Sequence, residues 1–249
     1  MHPTSIQEVI NNLDTIIAWS RANQNPMGYF AALYRRMTVA VMHGMQHNMF
    51  ADAKRMEQLD IVFASRYLHA WEAYTQNQRC SNAWYTAFEA CKDHRLIVLQ
   101  HLINGVNAHI NLDLGIAAAD IAPGDSIFAL QNDFNKINDV IASLMQAVQE
   151  SLCKIWFPLR ALQSIAGNRQ DAVLNFSIST ARQTSWANAV ALAFIQGDVR
   201  DTHINTIDSA VVTIANRVIS PGMITQMLLH PVREMENADV RQNIALLLE

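Results

Sequence analysis

Apolar residues recur at three- and four-residue spacing through nearly the whole chain, and no stretch alternates apolar with polar as a half-buried strand does. Only six prolines and eight glycines interrupt that pattern across 249 residues. A chain so patterned has one way to bury its apolar stripes, which is to pack helix on helix. Ser5, with Glu8 three residues on, forms a capping box that starts a first helix over 5–23, ended at Asn25–Pro26. Further helices are expected over 29–49, 53–75 and 81–119. Past the turn Ala122-Pro123-Gly124-Asp125-Ser126, others follow over 129–155, 168–196, 202–219 and 223–247. The expected fold is therefore all-α: one domain over 1–249, an antiparallel multi-helix bundle of about eight helices.

Composition narrows the function classes. The chain is 51% hydrophobic and 16% charged, with a net charge of −4. No basic surface argues for nucleic acid or anionic lipid. Cys80, Cys91 and Cys153 are widely spaced with no C-x-x-C, so reduced thiols are expected in place of a disulfide framework or a structural zinc site. No apolar run is long enough for a membrane span, and Met1–Asp14 carries a helix start where a signal sequence would be charged and then apolar. A soluble, cytoplasmic protein is the expectation.

The polar residues that break the apolar pattern locate a site. His101, Asn104, Asn107, His109, Asn111 and Asp113 crowd a stretch that otherwise reads as the middle of a buried helix, where each unpaired polar group is costly. At about 100° per residue, His94, His101, His109 and Asp113 fall within one arc, and the three asparagines fall nearly opposite. His109 and Asp113 are one turn apart and can serve a common centre. That His-x-x-x-Asp spacing offers nitrogen and oxygen to zinc or another divalent ion, with Asp60 or His101 as the further ligand. It equally suits a buried histidine–aspartate pair.

Asp60 sits within an aromatic stripe of Phe63, Tyr67, Trp71 and Tyr74. Arg182 shares a face with Asn175, Ile178, Trp186 and Ala189. Each is a charge aimed at a core, and each wants a partner. Asp60 or Asp113 is the expected counter-ion for Arg182. Asp133 and Asn138 flank an apolar arc and border either a cavity or a packed face. His43 and His47 have the spacing of a zincin helix but lack its glutamate, and His69 and Glu72 fall on the flank of their helix. Phosphate loops, nucleophile elbows and Cys/His nucleophile signatures are absent.

The string Asn107-Ala108-His109-Ile110-Asn111-Leu112-Asp113-Leu114 resembles the signature of a bacterial family of helical proteins known only as a domain of unknown function. Tyr34-Arg35-Arg36-Met37-Thr38, Leu59–Phe63 with Tyr67-Leu68, Trp84 with Ala87-Phe88, Asn132–Asn135, and Ala181-Arg182 with Ser185–Ala187 resemble it in the same order, together covering most of 28–195. That resemblance implies a helical fold and no settled activity. A looser likeness, through His109 and Asp113 alone, is to zinc-dependent phospholipase C and related single-strand nucleases, whose further ligand pairs the chain lacks.

Three functions are compatible with these residues. One is a metal-assisted hydrolase in which His109, Asp113 and Asp60 or His101 hold a divalent ion such as zinc, which activates water. Another is a metal-free pocket where Asp60, His109, Asp113 and Arg182 bind or transform a small apolar molecule. The third is a bundle whose buried polar network specifies packing or a protein partner.

Overall fold

The Ser5 hydroxyl accepts the backbone N–H of Glu8 at 3.2 Å, and helix α1 runs on from it over Ile6–Ala22. The Glu8 carboxylate completes the cap one residue further back than a capping box does, at Thr4 N (2.7 Å) and the Thr4 hydroxyl (2.9 Å). The computed structural model of the chain describes residues 1–156 and 169–249, and among them every regular element is helical. After α1 come α2 (Met27–Gln46), α3 (Ala53–Thr75), α4 (Asn82–Ala90) and α5 (Val98–Val106). A π-helical segment, Asn107–Leu114, continues α5 and leads into α6 (Gly115–Ile121). The rest is α7 (Ser126–Ile155), α8 (Arg169–Phe194), α9 (Gly197–Ile219), α10 (Met223–Met235) and α11 (Val240–Leu248). The expected start of a helix at residue 168 lies outside the described residues, as does the side chain of Asn175.

Eleven α-helices thus stand among the described residues where about eight were expected. Two expected helices are broken by side chains that compete for backbone donors. The stretch 81–119 opens at 91–97, where Asp93 Oδ1 accepts the Arg95 N–H at 2.9 Å and turns the chain. The stretch 223–247 opens after Met235. Asp239 there caps α11 through the N–H groups of Arg241 (2.9 Å) and Gln242 (3.2 Å).

The π segment is the innermost element. It packs on α3, α4, α5, α6, α8 and α9, and six of its eight residues are buried. Close approaches around it depend on absent side chains. A Cβ on Gly105 would lie 2.5 Å from Phe30 Cγ, and one on Gly115 would lie 2.9 Å from the Ser185 carbonyl oxygen. The first glycine lets the Phe30 ring into the layer beside His109, and the second lets α6 meet α8 backbone to backbone.

Buried carboxylates elsewhere are spent on helix ends. Asp208 accepts from Asn82 N (2.9 Å), Asn82 Nδ2 (2.9 Å) and Ala83 N (2.8 Å), pinning the start of α4 to α9. Asp133 accepts from Ala51 N (2.8 Å) and Asp52 N (2.9 Å), tying the α2–α3 connection to α7. Glu236 accepts from Val98 N at 3.0 Å at the start of α5, and burial raises its pKa to about 7. Each supplies acceptors to the orphan N–H groups of a helix start or a turn.

Candidate functional site

Six elements line a partly open cavity of about 110 Å³. From α2 come Phe30, Leu33, Tyr34, Met37, Thr38 and Val41. α3 gives Met56, Leu59, Asp60 and Phe63. α5 gives Val106, the π segment gives His109, Ile110 and Leu114, α7 gives Ile137 and Ile141, and α8 gives Arg182. The wall is hydrocarbon and aromatic apart from Thr38 and four groups: Tyr34, Asp60, His109 and Arg182. A core of this density leaves few voids larger than a water molecule.

Asp113 does not line the cavity; it stands behind His109 as its support. Its Oδ2 accepts the Trp84 indole N–H at 2.7 Å and His109 Nδ1 at 3.3 Å. Its Oδ1 accepts from Arg66 Nε at 2.9 Å. A carboxylate against Nδ1 places the ring proton there and leaves Nε2 with its lone pair. Phe63 stacks on the imidazole, with centroids 3.6 Å apart and planes 12° from parallel, and Tyr34 meets it edge-on at 4.3 Å. The ring is therefore fixed in tautomer and in plane. Burial lowers the His109 pKa, opposed by Asp113, so the imidazole is neutral at physiological pH.

Polar atoms without hydrogen-bond partners stand in the cavity wall. His109 Nε2, Asp60 Oδ2 and the Tyr34 hydroxyl are all buried with no hydrogen bond, as is the hydroxyl of neighbouring Tyr67. Three of these belong to residues of one wall; others, such as Ser20 Oγ and both polar atoms of Asn104, stand elsewhere in the fold. Asp60 is 8% exposed. Burial, with a smaller contribution from Glu57, raises its pKa to about 7. It is therefore poised between acid and carboxylate near neutrality. Burial foremost, then the charges of Asp60 and Asp113, also raises the Tyr34 pKa well above the ordinary phenol value.

Arg182 departs from expectation. Neither Asp60 nor Asp113 pairs with it. Its Nε donates to Asn138 Oδ1 at 2.7 Å and its Nη2 to the Phe134 carbonyl at 2.6 Å. The guanidinium carbon lies 4.5 Å from the centroid of the Phe134 ring. Asp113 is taken by Arg66 on the other side of the imidazole, and Asp60 is left alone.

His101 is not brought to this site. It is one helix upstream, beside Tyr29, His94 and Glu236 in a separate surface cleft, where burial lowers its pKa to about 4. The break at 91–97 and the change to π geometry at Asn107 end the single arc that a straight helix drew through His94, His101, His109 and Asp113. Among the described residues, no three of His, Cys, Asp and Glu stand close enough to share one metal ion. Two of the three asparagines find partners away from the site, whereas Asn104 is buried with neither side-chain polar atom hydrogen-bonded. Asn107 Nδ2 donates to the Val211 carbonyl on α9 at 2.9 Å, and Asn111 Nδ2 donates to Asn107 Oδ1 at 2.8 Å. His43 and His47 are exposed and stacked on each other, and His69 is exposed beside His2.

Residues not expected as site residues complete the site. Tyr34 supplies a buried hydroxyl, Phe63 the stack, and Arg66 and Trp84 the donors that anchor Asp113. Three of these, Tyr34, Phe63 and Trp84, lie in the strings that carry the family resemblance. That co-occurrence was the available signal: scattered similar strings converge on one imidazole. A family model described as a family of unknown function (DUF5995) matches residues 6–221. No curated protein and no solved structure matches the chain. The looser likeness to zinc-dependent phospholipase C gains no support from these comparisons.

Proposed function

This chain belongs to DUF5995, a family of unknown function, and we propose that it binds a small, largely apolar molecule and moves a proton on it without the help of a metal. The observation that carries this reading is the set of partnerless polar atoms, His109 Nε2, Asp60 Oδ2 and the Tyr34 hydroxyl, on residues of one apolar wall. Leaving buried polar atoms unpaired costs about 1–3 kcal/mol each. A ligand that supplies the missing partners recovers that cost.

In this reading His109 is the proton acceptor. Asp113 holds its Nδ1–H, so the lone pair on Nε2 is the basic site, and the developing imidazolium is stabilised by the same carboxylate. Asp60, with its pKa near 7, is the complementary donor or acceptor, and Tyr34 supplies a hydrogen bond to an oxygen of the ligand. Phe63 and Tyr34 keep the ring from turning. No side chain in the wall is an activated nucleophile, so the chemistry is acid–base in place of covalent transfer. A metal-assisted hydrolysis would need a third ligand beside His109 and Asp60. The Asp113 oxygens are already taken by three donors, and His101 stands in another cleft.

Size sets the ligand scale. An engineered closed cavity of about 150 Å³ accommodates benzene; this one is about 110 Å³ but open on one side, so it suits a molecule of roughly five to seven non-hydrogen atoms with one end toward the opening. Calorimetric titration with phenol and with benzene tests the reading. Phenol should bind tighter than benzene, and His109→Leu should weaken phenol about tenfold while leaving benzene unchanged, the loss of one buried hydrogen bond. If neither probe binds, or if His109→Leu leaves the phenol preference intact, the reading fails.

A further inference from the structure

Among the described residues, Arg182 is a cation in an apolar interior with no anion beside it. It is 4% exposed. Its recorded partners, the Asn138 side-chain oxygen, the Phe134 carbonyl and the Phe134 ring, are all neutral. Among the described residues no carboxylate forms an ion pair with it. Burial alone displaces its pKa, downward to about 9, so the group stays charged at neutral pH and no acid acts on it. Arg66, on the far side of His109, has the carboxylate of Asp113. A buried guanidinium without such a partner is expensive, and this one forms part of the cavity wall.

We propose that the molecule bound in the cavity is a small carboxylate, its oxygens on Arg182 and its hydrocarbon against Phe63, Ile137 and Ile141. This rests on the reading of the cavity as a small-molecule site and names its ligand class. One cation neutralises one charge, which favours a monoanion over a phosphate dianion. The planar carboxylate is the guanidinium's best-matched partner. Asn138 and the Phe134 carbonyl hold Nε and Nη2, so the guanidinium plane is fixed before the ligand arrives. With Arg182 on α8 and His109 on the π segment both in the wall, a ligand anchored by its carboxylate presents its other end to the acid–base residues.

The test is calorimetry on the full chain at about pH 6, where Asp60 is mainly uncharged, with 3-methylbutanoate and 3-methylbutan-1-ol as probes. The two differ in charge and little in shape. In the wild type the carboxylate should bind at least about tenfold tighter than the alcohol. In Arg182→Met the two should come within about twofold, and Arg182→Lys should keep part of the preference. Should Arg182→Met fail to fold, the wild-type ratio and Arg182→Lys still decide. Equal affinities in the wild type, or tighter binding of the alcohol, overturn the carboxylate assignment while leaving the cavity as a small-molecule site. If neither probe binds, and phenol does not bind either, the cavity itself is not a ligand site and both proposals fall.

Discussion

Asp60→Asn replaces the partnerless carboxyl with a neutral group of nearly the same size. Burial raises the Asp60 pKa from 3.8 to about 7. Each unit corresponds to about 1.4 kcal/mol, so charging this group in the fold costs at most about 4 kcal/mol, less if water enters the cavity. The sign follows from which state holds the proton. Between the two pKa values the folded chain keeps a proton that the unfolded chain has lost. The contribution to stability is therefore present at low pH and is lost as pH rises through the folded value. From pH 5 to pH 8 the wild type should lose about 2–3 kcal/mol through this one group. Asp60→Asn has nothing to ionise. Urea unfolding of both proteins at pH 5, 6, 7 and 8 gives the comparison. The stability difference should move by about 2–3 kcal/mol in favour of the variant across that range, with most of the change complete by pH 7. Curves that stay parallel at every pH would show that Asp60 is already ionised or already paired, and the account of the cavity's acid would be refuted.

Asp113→Ala removes the acceptor shared by Trp84, Arg66 and His109. It should cost about 3 kcal/mol in the same assay at pH 7, because the indole N–H and an arginine are left unpaired; a loss under 1 kcal/mol would make the network dispensable. Gly105→Ala places a methyl 2.5 Å from Phe30. It should destabilise by about 1–3 kcal/mol through overpacking, and thermal unfolding at the wild-type midpoint would contradict the close approach. The His109 pKa is lowered by burial, so its contribution to stability is present above pH 6.5 and is lost as pH falls through the lowered value. His109→Gln should accordingly be closest to wild type in the acid range, and a gap that widens on acidification would reverse that sign.

The helical class was legible because period 3.6 recurs almost everywhere, and boundaries set by a side chain next to the backbone it caps, such as Ser5, could be read directly. Breaks that depend on competition were not legible. Asp93 turns the chain within a stretch whose apolar spacing never falters. Glu236 finds its use at Val98, 138 residues away. At the site, Asp60, His109 and Arg182 were visible as charges or polar groups on apolar faces, and they do meet in one wall. Their relation was not visible. A helical wheel at a fixed 100° cannot show a π segment eight residues long, and that segment separates the surroundings of His109 from those of His101. The sequence points to a buried acid as the Arg182 counter-ion, but burial says only that a charge needs compensation. Asp113 went to Arg66, one helix turn from the ring that it orients, and this is a fact of packing that periodicity does not contain.

Histidine-selective ¹⁵N NMR tests the central claim most directly: that His109 is a neutral base, fixed by Asp113, with its Nε2 open to the cavity. With the resonance assigned by its loss in His109→Leu, the imidazole should remain neutral and Nδ1-protonated from pH 6 to pH 8. Its Nε2 signal should move upfield on addition of phenol, as a hydrogen bond forms to the lone pair. A ring that protonates with an ordinary midpoint near 6.5, or an Nε2 signal indifferent to every probe that binds, would contradict the account.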